Sequence, residues 1–271
     1  MTLSPDPTRL RSIHRQMPFA TSRVVAALVL REMTSTYGRR PGGYIWSIVE
    51  PIAGIALMTW IFMTVGFRSP ALGTNFAIFY ATGLLPFYVF VNVSQKVAQS
   101  LSYSRQLLAY PRVTVLDALV ARYVLNLMTQ LLVAYLVLAG LRLLMDTGTQ
   151  LVPQHVVLGF AMAAALAAGV GTLNCFLMSM FPLWSTAWSV LTRPLLFISG
   201  VMFLVDSLAP EWRSYLAWNP LVHIIGEVRS GFYHGYEPSY VSPAYVFGVA
   251  LVTGLAGLLF LWRFHRDILE A

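Results

Sequence analysis

Apolar residues gather in long blocks along this chain, separated by short polar or aromatic intervals. Six blocks run Tyr44–Phe67, Phe76–Lys96, Val113–Leu141, Gln154–Phe181, Ala187–Val205 and Pro243–Trp262. Each approaches or exceeds the roughly 20 mostly apolar residues that cross a bilayer. Hydrocarbon offers backbone N–H and C=O groups no partner, so runs of this kind predict helices. The pattern predicts an all-α membrane protein with six transmembrane helices.

The intervals carry structure of their own. Pro18 to Tyr37 reads as a helix, with Pro18 in its first turn and Gly38 as its stop. Its apolar centre, Val24–Leu30, is too short to span and is bracketed by Arg23 and Arg31. Arg31 falls on the same face as Val24 and Leu28, yet a helix lying along the cytoplasmic interface fits best. Gly38–Gly43 then turns into the first span. Val97–Tyr110 is a polar helical segment ending at Pro111, with Val97, Leu101 and Leu108 as an apolar stripe. Such a helix either packs under the membrane domain or docks a partner. Asp206–Ser242 is rich in aromatics, and after Asn219-Pro220 it shows a helical pattern. Leu221, Ile225, Val228 and Phe232 share one face; His223, Glu227, Ser230 and His234 share the other. Two readings stand: an interfacial helix with an aromatic belt, or a hairpin dipping back into the outer leaflet.

Domain organisation follows. Residues 1–43 form a basic segment with the interface helix. Residues 44–271 form one membrane domain, with short amphipathic helices in segment 206–242 before the last span. Thr2–Met17 is polar and basic, unlike a secretory signal.

Composition agrees, at 57% hydrophobic and 11% charged residues. The net charge of +7 would suit nucleic acid, but its placement argues for lipid. Arg9, Arg11, Arg15, Arg23, Arg31, Arg39 and Arg40 precede the first span; Lys96, Arg105, Arg112 and Arg122 lie in or near the second loop. Arg193, Arg263 and Arg266 sit toward the same side, leaving Arg68, Arg142, Arg213 and Arg229 for the other. This bias predicts that both termini are cytoplasmic and that segment 206–242 is periplasmic. No nucleic-acid partner is expected.

The search for chemistry returns mostly exclusions. Lys96 is the only lysine and no P-loop is present, so ATP hydrolysis by this route is excluded. No cofactor is expected on this chain. His223 and Glu227, four apart, make half a metal site at most; an exposed polar face explains them, and no metal is expected. Ser199-Gly200 lacks a histidine base within a span, so no catalytic residue is assigned. Cys175, alone in an apolar run, excludes a disulfide framework and reads as a core residue.

Glu50-Pro51 lies inside the first span, where a carboxylate costs on the order of 3 kcal/mol on insertion scales. Arg193 and, a little deeper, Arg122 are the candidate partners. A packing ion pair, a role in gating or transport, and a hydrated carboxylate near the surface all remain open. Aromatic residues in the spans, among them Trp46, Trp188 and Phe197, are also surfaces that suit sugar rings.

Three stretches together resemble the membrane subunit of ABC-2-type polysaccharide exporters, especially the capsular polysaccharide exporters of Gram-negative bacteria. The first is Arg31 through Pro51, with Tyr37-Gly38 and Trp46-Ser47-Ile48-Val49-Glu50-Pro51. The second is Tyr110-Pro111-Arg112-Val113, then Leu116-Asp117 and Ala121-Arg122. The third is Phe197 through Val201, Asp206 through Pro210, Trp218-Asn219-Pro220-Leu221-Val222-His223 and Glu227-Val228-Arg229. Their order covers the chain from about residue 20 onward.

The resemblance implies a homodimer whose path runs along the dimer interface, with Glu50, Arg193, Arg122, Trp46, Trp188 and Phe197 as channel and charge-pair residues. It implies two copies of a separate ATPase that binds ATP and Mg. Arg31, Tyr37, Leu101, Tyr103, Arg105 and Leu108 would couple to it. It implies a periplasmic gate at Trp218, Asn219, Pro220, His223, Glu227 and Arg229, a periplasmic co-polymerase and an outer-membrane channel. The cargo would be a lipid-linked capsular, or related acidic, polysaccharide crossing the bacterial inner membrane. A secondary transporter for a small solute is the alternative, but no internal repeat or paired broken helices support it. An intramembrane enzyme lacks a nucleophile and base.

Overall fold

The computed structural model describes residues 20–34, 43–66, 69–108, 114–146 and 148–264. Among these residues ten α-helices follow one another: α1 (Ala20–Glu32), α2 (Gly43–Thr64), α3 (Phe76–Ala98), α4 (Ser100–Leu108), α5 (Val115–Leu144), α6 (Pro153–Met180), α7 (Trp184–Ile198), α8 (Pro210–Leu216), α9 (Pro220–Ser230) and α10 (Pro243–Arg263). Five of them, α2, α3, α5, α6 and α10, are long and apolar enough to cross a membrane.

Local chemistry sets the helix starts. Proline opens α6, α8, α9 and α10, where its missing N–H removes no helical bond. Thr114 and Asp117 form a reciprocal capping box on α5. Thr114 Oγ1 accepts from the Asp117 N–H at 3.2 Å, and Asp117 Oδ2 accepts from the Thr114 N–H at 3.0 Å. Asn75 caps α3 through the Ala77 N–H.

The core is a layer of α3, α6 and α10. α6 lies between the other two, and α3 is buried almost all round between α2, α5, α6 and α9. α6 and α10 run parallel, Gly169 meeting Ala250 and Gly257 meeting Leu173. A Cβ on Gly169 would run into the Ala250 carbonyl, so this pair needs glycine to approach as it does. α5 covers α3, with α1 and α4 against its first turns.

Two expectations change. The fifth predicted span, Ala187–Val205, is not one helix. α7 stops at Ile198, and its 15 residues reach only ~22 Å. Gly200, at φ +76°, turns the chain into a non-helical strap through Leu204 before a 3-10 turn at Val205–Ser207. The two-faced α9 is also corrected. Leu221 through Arg229 are all buried, His223 and Glu227 included, because α3, α6 and α10 enclose the helix. His223 and Glu227 take polar protein groups as partners, while Ser230 is half-buried and His234 exposed as expected of a wet side.

Candidate functional site

Three groups of residues carry the unusual chemistry. The first is built around Arg122, about two turns into α5 and only 4% exposed. Its Nε lies 3.0 Å from Glu32 Oε1, at the end of α1. Its Nη1 donates to the Gln99 carbonyl at 3.0 Å, where α3 gives way to α4. Its guanidinium stacks on Tyr103 of α4, 4.2 Å from the ring centre, and Arg31 approaches the same ring at 5.8 Å. One buried cation thus ties α1, α4 and α5 together. Removing one partner of such a pair costs on the order of 3–5 kcal/mol, because the other is left buried and unmatched.

This corrects the pairing expected for Arg122, which takes Glu32 rather than Glu50. Of the residues expected to couple to an ATPase, Arg31 and Tyr103 meet at this clasp and stay partly open to solvent. Leu101 instead turns into the core and anchors α4 there. Tyr37 lies outside the described residues, as do the side chains of Arg105 and Leu108 on α4.

The second group lies on α2, the least covered of the long apolar helices, and on the shorter α7. α7 has no buried residue. Glu50 and Arg193 are both exposed, and among the described residues they form no ion pair with each other. Each immediately precedes a proline inside its helix, Pro51 and Pro194. From the helix starts they lie ~10 and ~14 Å along the axes, entering from the same end of the bundle. Trp46 and Phe197 are exposed around them, while Trp188 is half-buried against the core. In hydrocarbon such a charge would cost on the order of 3 kcal/mol, so this face calls for a partner or water.

The third group pins the strap after α7. Arg229 of α9 is fully buried, and its fork fits backbone carbonyls. Nη1 donates to Gly200 and Phe203 at 2.8 and 3.0 Å, and Nη2 to Val201 at 2.8 Å. Its guanidinium lies 4.2 Å from the Phe79 ring centre. Burial pushes the Arg229 pKa down, and the surrounding Tyr236, Tyr240, Tyr233 and Tyr80 partly oppose this. Gly83 of α3 is needed here, since a Cβ would lie 3.1 Å from Val201 Cα and 3.2 Å from Arg229 Nη2. Asn219 joins in: Oδ1 caps α9 at the Leu221 N–H, and Nδ2 donates to Ser199 Oγ at 3.2 Å.

His223 is held at both nitrogens. The Ser242 N–H donates to Nδ1 at 3.0 Å, so the proton sits on Nε2 and is donated to the Ala217 carbonyl at 2.7 Å. Neither nitrogen is left for a metal. Glu227 takes His155 of α6 at 2.8 Å, on the wall of a 690 Å³ polar pocket with Ser230, His234 and Tyr236. Pro220 opens α9 and Trp218 is exposed, its carbonyl accepting from Tyr245 Oη. Of the six residues expected at a periplasmic gate, Arg229 holds the strap directly and Asn219 holds Ser199 just before it. Sequence reasoning missed Glu32, Phe79, Gly83, Gly200 and His155. Gly200 inside an apolar run was the one available signal.

The chain belongs to the ABC-2 type transporter family, which residues 23–233 match. It is 31% identical to the polysialic acid transport protein KpsM of Escherichia coli over 239 residues, 86% of this chain and 90% of that protein. It is 27% identical to the capsule polysaccharide export inner-membrane protein CtrC of Neisseria meningitidis over 251 residues, 91% and 92% of the two chains. It is also 27% identical to the capsule polysaccharide export inner-membrane protein BexB of Haemophilus influenzae over 249 residues, with the same coverage.

Proposed function

We propose that this chain is the membrane subunit of an ATP-driven exporter. It moves a lipid-linked capsular, or related acidic, polysaccharide across the bacterial inner membrane through a channel between two copies of itself. The α2 and α7 face carries the proposal: two exposed helices, each bearing a charge beside a proline, alongside an otherwise packed bundle. A polyanionic glycan cannot enter hydrocarbon and needs a wet, enclosed path. Two such faces brought together enclose one, with Glu50 and Arg193 compensating each other across or along it. The names of the relatives support the cargo.

In this reading the subunit is not catalytic. Two copies of a separate ATPase, which bind ATP and Mg, push on the end that carries α1 and α4. Arg31, Tyr37, Tyr103, Arg105 and Leu108 form the docking surface. Motion of α1 reaches α5 through the Glu32–Arg122 pair. Both termini face the cytoplasm, and the Arg229-pinned strap lies toward the periplasm, where a co-polymerase and an outer-membrane channel take the polymer onward. Arginine asymmetry supports this orientation. Deleting the gene should trap finished polymer in the cytoplasm and remove it from the cell surface. Restoring this chain together with its ATPase should bring it back. Unchanged surface polymer in the deletion strain would overturn the proposal.

A further inference from the structure

α5 and α6 flank an open groove of about 910 Å³. Tyr123 Oη of α5 donates to the Ala164 carbonyl of α6 at 3.2 Å, and Ala164 lines the groove. Leu127 and Leu131 start its α5 wall, Phe160 and Ala161 line its α6 wall, and Phe232 closes part of the floor. Its single charged lining residue among those described is Arg142. Arg142 is exposed and lies two residues before the end of α5.

Position and lining choose the occupant. Arg142 lies ~30 Å along α5 from Arg122, about the thickness of the hydrocarbon core, which puts it at the headgroup level opposite the clasp. From Leu127 to Arg142 the groove runs ~22 Å along the helix axis. Apart from Arg142 and the Tyr135 hydroxyl the lining over that length is apolar, and at this depth in the bilayer it suits acyl chains. A lone guanidinium at its mouth, with no carboxylate in the lining, complements a phosphate.

We propose that this groove is a binding site for an anionic phospholipid of the membrane itself, its chains between α5 and α6 and its phosphate on Arg142. The inference stands apart from the export function and from the α2 and α7 face. Phe232 links the site to the strap, because its N–H donates to the Arg229 carbonyl at 3.0 Å. An occupied groove therefore braces the segment that follows α9.

The test is native mass spectrometry of the purified full chain, delipidated and titrated with phosphatidylglycerol or phosphatidylcholine. The wild type should retain phosphatidylglycerol about fivefold more strongly, the size expected of one cation near an anionic headgroup. Arg142→Gln should abolish that preference while leaving weak retention of either lipid. Ala161→Trp, which fills an exposed position in the groove, should remove one retained lipid. Val252→Trp, on the exposed face of α10, should not. Equal retention of both lipids by the wild type, or an unchanged count in Ala161→Trp, would overturn the proposal. So would a photocrosslinker at Ala161 that captures a protein segment and no lipid.

Discussion

α2 and α3 match in hydropathy and differ in everything around them. The most apolar 18-residue stretch of each has a mean hydropathy of 1.7, yet 83% of it is buried in α3 and 11% in α2. Hydropathy records how oily a helix is and not what it touches. α3 meets protein on every side, and its small and polar positions are used: Gly83 admits the strap and Phe79 carries Arg229. α2 keeps an edge on α3 and turns Trp46, Glu50, Ile52 and Trp60 outward. A helix facing only lipid has no use for a carboxylate beside a proline. The contrast separates the part of the molecule that is complete within one chain from the part that, in the proposed reading, a second copy completes.

Substitutions at the two sites should separate in the same way. The largest effect belongs to Arg229→Met, which takes the arginine donors from two buried carbonyls and one part-buried one. It should cost on the order of 3–5 kcal/mol of stability. Arg229→Lys should recover less than half, because an ammonium cannot fork to the same carbonyls. Cys175 is buried and alone, so the temperature at which a thiol dye reacts reports unfolding. A variant Arg229→Met that unfolds at the wild-type temperature would break the comparison.

Glu32→Gln and Arg122→Gln come next, each destabilising by about 3 kcal/mol for the buried charge left unmatched. The double variant should lose clearly less than the sum, and the same thermal assay measures the coupling. Additive losses would mean that the clasp is not a unit. Gly169→Val should cost about 1–3 kcal/mol by prying α10 from α6. A neutral result there would show that the pair has slack. Trp46→Ala and Phe197→Ala sit at the small end for folding, within about 0.5 kcal/mol in a single chain, because both side chains are exposed there. Their effect should appear in polymer export instead. Loss of thermal stability comparable to Arg229→Met would place this face in the core.

Five long helices were legible from the sequence because apolar length and punctuation agree. The expected Pro243–Trp262 and the observed Pro243–Arg263 share their proline start, and Gln154–Phe181 and Pro153–Met180 differ by one residue at each end. The break after α7 was not legible. Val201 to Val205 continues the apolar run, and what ends the helix there is an arginine 29 residues further on. Arg122 was visible as an in-membrane cation, but its partner lies 90 residues upstream on a helix too short to span. Glu227 and His223 looked wet because their partners, His155 and the Ser242 N–H, come from other elements. Local pattern gives the helices, and the pairings that build the sites are all long-range.

The central claim is that the α2 and α7 face is completed by a second copy. Single cysteines placed at Ile52 of α2 and Val190 of α7, in a Cys175→Ala background, test it by bismaleimide crosslinking in native membranes. Both positions are exposed in one chain, as is Val252 on α10. Cysteines on α2 and α7 should yield a covalent dimer, and the cysteine at Val252 should stay monomeric. A dimer captured through Val252 and none through Ile52 or Val190 would contradict the account.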